Sequence, residues 1–476
     1  MSGGAVTDDG TGGGVDEDGA GSTNDRAGTE NAGGTLDRRL GFLDCVLLSV
    51  GGMVGSAIFV FPGSTGRLVG PASILAWVGA GLLMTTIALC YTELSLAFPK
   101  AGGPAVFPHE TFGPSPLVRA YASYLEGVGY SVGWAFGITV SALAIAEYAS
   151  IVVPAAADAT VPLALLAIGV SFVVNALGVD VTSKANLVLA AILLAVLVVF
   201  AGLALSRADI GNYRPFVMGG PVRFLAAVQV AITAYGAWTV IPASAEEIRR
   251  PAWTIPRAIL VSLAVSTVLY GAIVAAIHGL VPPSAFVEGS TAMTAPIGAA
   301  AAALGVPAIE TVVLPVAAIA AIFTTMLVGT MSAGRVLMAL GRNGTLPPMF
   351  ARVSDRSGTP WVGLLGITVL AGALAAFPGY FYQLLVVAAV VGTGVPYGIN
   401  VLSFVGLRYY RTDVEPSWRA PGGYALPVLA ALALAIAMIG LGLTNVVWSV
   451  GTLALLTVLF VIRFVLAPGP VVAAPE

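Results

Sequence analysis

Gly51-Gly52-Met53-Val54-Gly55-Ser56-Ala57-Ile58-Phe59 places three glycines within five residues inside an apolar run. A second weak point, Ala234-Tyr235-Gly236-Ala237-Trp238, follows about 180 residues later inside another such run. In hydrocarbon every backbone amide and carbonyl must be paired, so a helix interruption at membrane depth persists only where something else satisfies the freed groups. Two interruptions at matching places point to a binding site.

Composition sets the surroundings of that site. Of 476 residues, 58% are hydrophobic and only 9% charged, with a mean hydropathy of +0.94. One soluble core cannot hide so much apolar surface, and nearly uncharged runs of 18 or more residues recur throughout. The expected class is an all-α polytopic membrane protein with the lipid bilayer as its first partner; no nucleic-acid partner is expected, and the oligomeric state is open. Cys45 and Cys90 lie in apolar runs without metal-ligand or disulfide spacing and read as core residues. Residues 1–40 differ in kind. Asp8, Asp9, Asp16, Glu17, Asp18, Asp25, Glu30 and Asp37 stand among Gly, Ser and Thr, so this stretch reads as a disordered acidic cytoplasmic tail without a cleavable signal.

Twelve apolar spans follow, near 41–66, 71–98, 118–152, 161–176, 184–205, 223–246, 256–280, 308–340, 360–377, 380–407, 424–442 and 445–466. With these spans, seventeen of the 21 Lys and Arg residues fall on one side, leaving Arg67, Arg207, Arg214 and Arg223 on the other. Basic residues accumulate in the cytoplasm, so both termini are expected inside a cytoplasmic membrane. The broken spans are the first and the sixth. An offset of five brings the second copy in from the opposite face, as in an inverted-topology repeat of five plus five helices. The chain then divides into the tail, a core over 41–407, a loop with two additional C-terminal helices over 408–466, and a short cytoplasmic tail over 467–476.

The sequence resembles the amino acid-polyamine-organocation (APC) superfamily of permeases over about residues 40 to 425. The resemblance rests on Val54-Gly55-Ser56-Ala57-Ile58-Phe59 and on Tyr91-Thr92-Glu93-Leu94 running into Phe98-Pro99-Lys100-Ala101-Gly102-Gly103. It extends through Ala245-Glu246-Glu247-Ile248-Arg249-Arg250-Pro251 to Ile255-Pro256-Arg257-Ala258, then Gly334-Arg335-Val336 up to Arg342-Asn343-Gly344, and Arg419-Ala420-Pro421-Gly422-Gly423. It implies a secondary transporter that holds an amino acid at mid-membrane and works by alternating access.

Such a substrate carries a carboxylate and an ammonium, both of which need partners once water is excluded. The amides of Ser56, Ala57 and Ile58 after Gly55 would receive the carboxylate at the positive end of a half-helix. Carbonyls at Met53, Thr233 and Gly236 would receive the ammonium. Superposition on family positions places Ile138 and Gly329 beside the substrate side chain. Neither is charged, so a neutral amino acid is expected. Family members often gate the pocket with an aromatic where Thr233 stands; here the nearest aromatics are Tyr235 and Trp238, the expected gate. Thr324 and Thr325 superpose on the hydroxyl pair of sodium-coupled relatives, with Ala321, Gly51 and Val54 adjoining them, which implies a candidate sodium site. A lysine midway along span five, which serves sodium-independent members, is absent, since Lys184 stands at that span's start.

Glu93, Glu126, Glu147 and the Glu246-Glu247 pair are placed toward span ends as partners of arginines such as Arg249, Arg250, Arg257 and Arg335. His109 and His278 read as satisfied interfacial side chains. No zinc, phosphate-loop or cysteine-cluster motif occurs, so neither an enzyme nor a bound cofactor is expected. A channel, and a proton-coupled permease or exchanger for polyamines or cationic amino acids, are the competing readings; the last would want a carboxylate facing the pocket.

Overall fold

Pro116, Pro221 and Pro251 each stand in the first turn of a helix, where the missing amide costs nothing. Gly70, at φ 63°, closes the first helix, and Gly178, at φ 120°, separates two others, both in backbone regions that a β-carbon disfavours. The computed structural model describes residues 36–305, 313–377, 390–439 and 442–466.

The α-helices in chain order are α1 Phe42–Val69, α2 Ser73–Ala97, α3 Gly103–Thr111, α4 Pro116–Val152, α5 Thr160–Ala176, α6 Val179–Ser206, α7 Pro221–Thr233 and α8 Val240–Ala243. They continue as α9 Pro251–Leu280, α10 Thr291–Thr294, α11 Pro296–Ala303, α12 Leu314–Arg342, α13 Trp361–Ala375, α14 Val395–Tyr410, α15 Ala425–Ile439 and α16 Gly442–Leu466. Each apolar segment of the sequence carries helix, although residues 308–312 of the eighth, 380–389 of the tenth and 440–441 of the eleventh lie outside the described residues. Among the described residues, six helical stretches are long and apolar enough to cross a membrane, counting Phe42–Ala97 as one, and the bent pair α7–α8 makes a seventh. The remaining apolar helices are shorter.

At the centre, α1 packs against α6, α7, α9 and α12, while the most extensive helix contact is between α12 and α4. Small residues permit these approaches. A β-carbon on Gly52 would stand 2.8 Å from that of Ala237 and 2.9 Å from Val328, and one on Gly363 would stand 2.4 Å from the Gly334 carbonyl. The outer surface is apolar, with Leu82, Val199 and Val268 among its exposed side chains, as a lipid-facing perimeter requires.

The acidic tail lies outside the described residues except for its end, where the expected disorder is corrected. Leu36 is buried, and residues 36–40 run along the segment after α8. The amides of Arg39 and Leu40 donate to the Glu247 carbonyl, and the amide of Arg249 donates to the Leu40 carbonyl at 2.8 Å. Those partners, none of them evident from local composition, offset the cost of ordering this short strap.

Candidate functional site

Gly55 departs from helical geometry, with φ −45° and ψ −118°. It divides α1 into an inner half ending near Val54 and an outer half beginning with Ser56, Ala57 and Ile58. The residue must be glycine, since a β-carbon there would lie 1.7 Å from Thr325 Oγ1 and 2.8 Å from the Ala321 carbonyl. Around the break Ser56 is half-buried, whereas Met53, Ala57 and Ile58 are buried.

The second interruption is longer. The α7 helix stops at Thr233, and Gly236–Thr239 forms a 3-10 turn before α8, with a bend of 40°. A β-carbon on Gly236 would meet only the Tyr397 hydroxyl, at 3.6 Å. Its carbonyl accepts from Thr239 Oγ1 at 2.8 Å and from the Tyr397 hydroxyl at 3.5 Å. Thr233 turns its hydroxyl back to the Val230 carbonyl and shares a small crevice with Gln229, Tyr397 and Leu434.

Tyr270 on α9, unmarked by the sequence reading, joins the two interruptions. Its hydroxyl approaches the Met53 carbonyl of the first and the Ala234 carbonyl of the second, the latter at 3.0 Å. One hydroxyl proton serves two freed carbonyls, so the Met53 carbonyl, expected to await an ammonium, already has a protein neighbour.

Other expected site residues are placed differently. Ile138 is buried with Ala142, Ala164, Ile168, Met326 and Ile367, in a cluster shared with α5 and α13. One turn earlier on α4, the Trp134 ring lies over Gly329, where a β-carbon would come within 2.3 Å of it. Gly329 therefore seats the indole of the half-buried Trp134. Tyr235 is wholly buried, with its ring edge on Tyr270 and its hydroxyl donating to the Trp77 carbonyl at 3.0 Å. Trp238, also wholly buried, stacks on Tyr397. Expected as gates, both are packed between helices; the aromatic at the crevice is Tyr397.

Of the candidate sodium residues, Gly51, Ala321, Thr324 and Thr325 lie together. Thr324 Oγ1 stands 2.7 Å from the Gly51 carbonyl and 2.6 Å from the Ala321 carbonyl, and Thr325 Oγ1 donates to the Gly52 carbonyl at 3.1 Å. Val54 is fully buried on the same stretch of α1. Asn186 on α6 donates to the Leu47 carbonyl at 2.8 Å while its Oδ1, buried beside Gly51, has no partner among the described residues. Threonine alone, bonding back along its own helix, would account for the Ala321 contact but not for those to α1.

Beneath the interruptions, ion pairs tie the helix ends. Arg335 makes a buried two-point pair with Glu247, Arg342 reaches Glu246 at 2.8 Å, and Arg408 holds Glu93 at 2.8 Å and 3.0 Å. The arginine partners expected for Glu247 and Glu246 are thus one correct and one shifted a helical stretch onward. Arg249 bonds the Arg38 carbonyl instead, and Arg257 lies 4.8 Å over the Trp253 ring. Burial raises the Glu246 carboxyl, but the amides of Leu36 and Ala101 together with Arg342 hold it below the ordinary glutamate value. His278 is buried with Nε2 2.9 Å from Ser73 Oγ. Glu126 is the departure: it is wholly buried and joins no ion pair among the described residues.

Among the described residues the chain is helical, with interrupted apolar helices, the architecture of a membrane permease. A sequence model of the family described as amino acid permease matches residues 40–474, and the chain belongs to that family, within the APC superfamily. It is therefore a transporter and not an enzyme. Among its relatives, a branched-chain amino acid permease of Bacillus subtilis (strain 168) is 26% identical over 430 residues, covering 87% of this chain and 90% of that protein. A methylthioribose transporter of the same organism is 27% identical over 416 residues, covering 83% and 87%. The cationic amino acid transporter 4 of Mus musculus is 29% identical over 428 residues, with 82% of this chain matched to 63% of that protein.

Proposed function

We propose that the chain is a secondary active transporter that carries a neutral amino acid across the cytoplasmic membrane by alternating access, coupled to sodium. The substrate carboxylate sits on the amides of Ser56, Ala57 and Ile58, and its side chain extends toward Trp134. Twelve spans with both termini inside, arranged as a five-plus-five inverted repeat with two added helices, provide the frame. Helix pairing supports the repeat, because four of its five equivalent pairs pack together: α1 with α7, α2 with α9, α4 with α12 and α5 with α13. A two-fold pseudo-axis in the membrane plane produces that pattern.

The observation that carries the coupling is the oxygen cluster between α1 and α12. Thr324 Oγ1 stands within hydrogen-bond distance of the Gly51 and Ala321 carbonyls and Thr325 Oγ1 within that of the Gly52 carbonyl, so hydroxyl and carbonyl oxygens of both helices meet there. Such hard donors suit a small cation held among the oxygens of Gly51, Val54, Ala321, Thr324 and Thr325. Uptake into proteoliposomes under a sodium gradient, at fixed pH and potential, tests this reading. Accumulation is expected with external sodium and is expected to be lost in Thr324→Val. Equal accumulation in choline would overturn sodium coupling while leaving the amino acid site intact.

A cationic amino acid is the second reading, favoured by relatives such as the mouse cationic amino acid transporter 4. Competition of lysine and arginine against leucine and alanine in the same vesicles separates the two. Dominance of the cationic pair would overturn the neutral assignment.

A further inference from the structure

Glu126 lies ten residues into α4, about 15 Å from its start, and none of its surface is exposed. Its Oε1 accepts from Asn400 Nδ2 of α14 at 3.1 Å, and the same Nδ2 lies 3.0 Å from the Tyr91 hydroxyl of α2. Among the described residues its Oε2 has no partner, and neither has Oδ1 of Asn400, although both are buried. Two unpartnered acceptors, one on each side chain of a bonded pair, form an expensive arrangement if the carboxyl is ionised.

Among the described residues no cation answers the charge. Arg408 of α14 is held by Glu93, Arg335 and Arg342 of α12 by Glu247 and Glu246. Arg119 stands seven residues nearer the start of α4, about two turns away, and Arg463 stands in the last turn of α16. Burial lowers the pKa of His109 on α3. The titratable groups that face Glu126 are the phenols of Tyr91, Tyr130 and Tyr397.

We propose that Glu126 and Asn400 form a proton-binding site in which Oε2 carries the proton and donates it to Asn400 Oδ1. One proton then satisfies both stranded oxygens. The carboxylic acid and the primary amide join through two parallel hydrogen bonds, Oε2–H to Oδ1 and Nδ2–H to Oε1. The pair links α4 to α14, and through Tyr91, whose ring edge meets Trp238 at 5.0 Å, it borders the second interruption. Loss of the proton sets a carboxylate against an amide oxygen and favours separation of the two helices. Proton release is thereby tied to opening on this side of the bundle, independently of the cluster at Thr324.

The test is infrared absorption of the reconstituted full chain, read at the carbonyl stretch of protonated carboxyl groups across neutral and alkaline pH. A band is expected in the wild type at neutral pH, lost in Glu126→Gln and displaced in frequency in Asn400→Leu. Amino acid counterflow by Glu126→Gln is expected to persist with its pH dependence lost. Absence of the band in the wild type, its survival in Glu126→Gln, or an unchanged counterflow pH profile would overturn the proposal. If Glu126→Gln does not fold, an unmoved band in Asn400→Leu overturns it equally. The infrared readout needs no amino acid, so its failure is distinct from failure of the transport reading.

Discussion

The two interruptions solve one problem in opposite ways. At Gly55 a single residue leaves helical geometry, and the space around it is filled to contact by α12. Between Thr233 and Val240 the chain spends a 3-10 turn on the change of direction, and the space beside Gly236 is open apart from the Tyr397 hydroxyl. The first is fixed by close approach and the second by aromatic packing from α2, α9 and α14. A rigid half-site facing a looser one is suited to an element that binds in place and another that moves.

Gly55→Ala should do the most damage. The β-carbon would meet Thr325 Oγ1 and the Ala321 carbonyl, and overpacking of this kind costs about 1–3 kcal/mol or more. Thermal unfolding in detergent should show a large fall in midpoint, with uptake lost. Tyr270→Phe comes next, because it removes the one hydroxyl between the interruptions and strands the Met53 and Ala234 carbonyls, at a cost of about 1–3 kcal/mol. A midpoint equal to wild type in Tyr270→Phe would show that the two sites are not joined there.

The strap beneath them adds a pH dependence. Glu246 titrates lower in the folded chain than in the unfolded one, where glutamate sits at about 4.3. Its stabilising contribution is full above that value and is lost as pH falls through the folded one. The Glu246→Gln variant should therefore show a shallower loss of melting temperature on acidification than wild type; parallel curves would remove Glu246 from the account. Gly236→Ala is expected to have the smallest effect. With room for a β-carbon and no positive φ, stability should stay level or rise by about 0.4–1 kcal/mol. Damage as severe as in Gly55→Ala would break the contrast between the interruptions.

The glycines of both interruptions were legible because a missing side chain at membrane depth leaves a mark in local sequence. The convergence of Gly51, Ala321, Thr324 and Thr325 was legible only through family superposition, since 273 positions separate Thr324 from Gly51. Tyr270, Trp134 and Asn400 were not legible. Each is an ordinary residue for an apolar helix, and each gains its meaning from a partner on another element. Glu126 was misplaced for a related reason: distance from a helix start says nothing of what covers that face. Tyr235 and Trp238 were near the break in sequence, but the turn of backbone after Thr233 carries their rings into contacts with Tyr270 and Tyr397.

The central claim is that an amino acid binds between the two interruptions on the backbone that follows Gly55. The most direct measurement is the melting temperature of the purified chain against each common amino acid, in the wild type and in Ser56→Pro, which deletes an amide and fixes the local dihedral. Ligand at one hundred times its Kd should stabilise the wild type by about 2.7 kcal/mol. A neutral amino acid should raise the wild-type midpoint and leave a folded Ser56→Pro unmoved. An equal rise in both proteins, or no rise with any amino acid, would contradict the account.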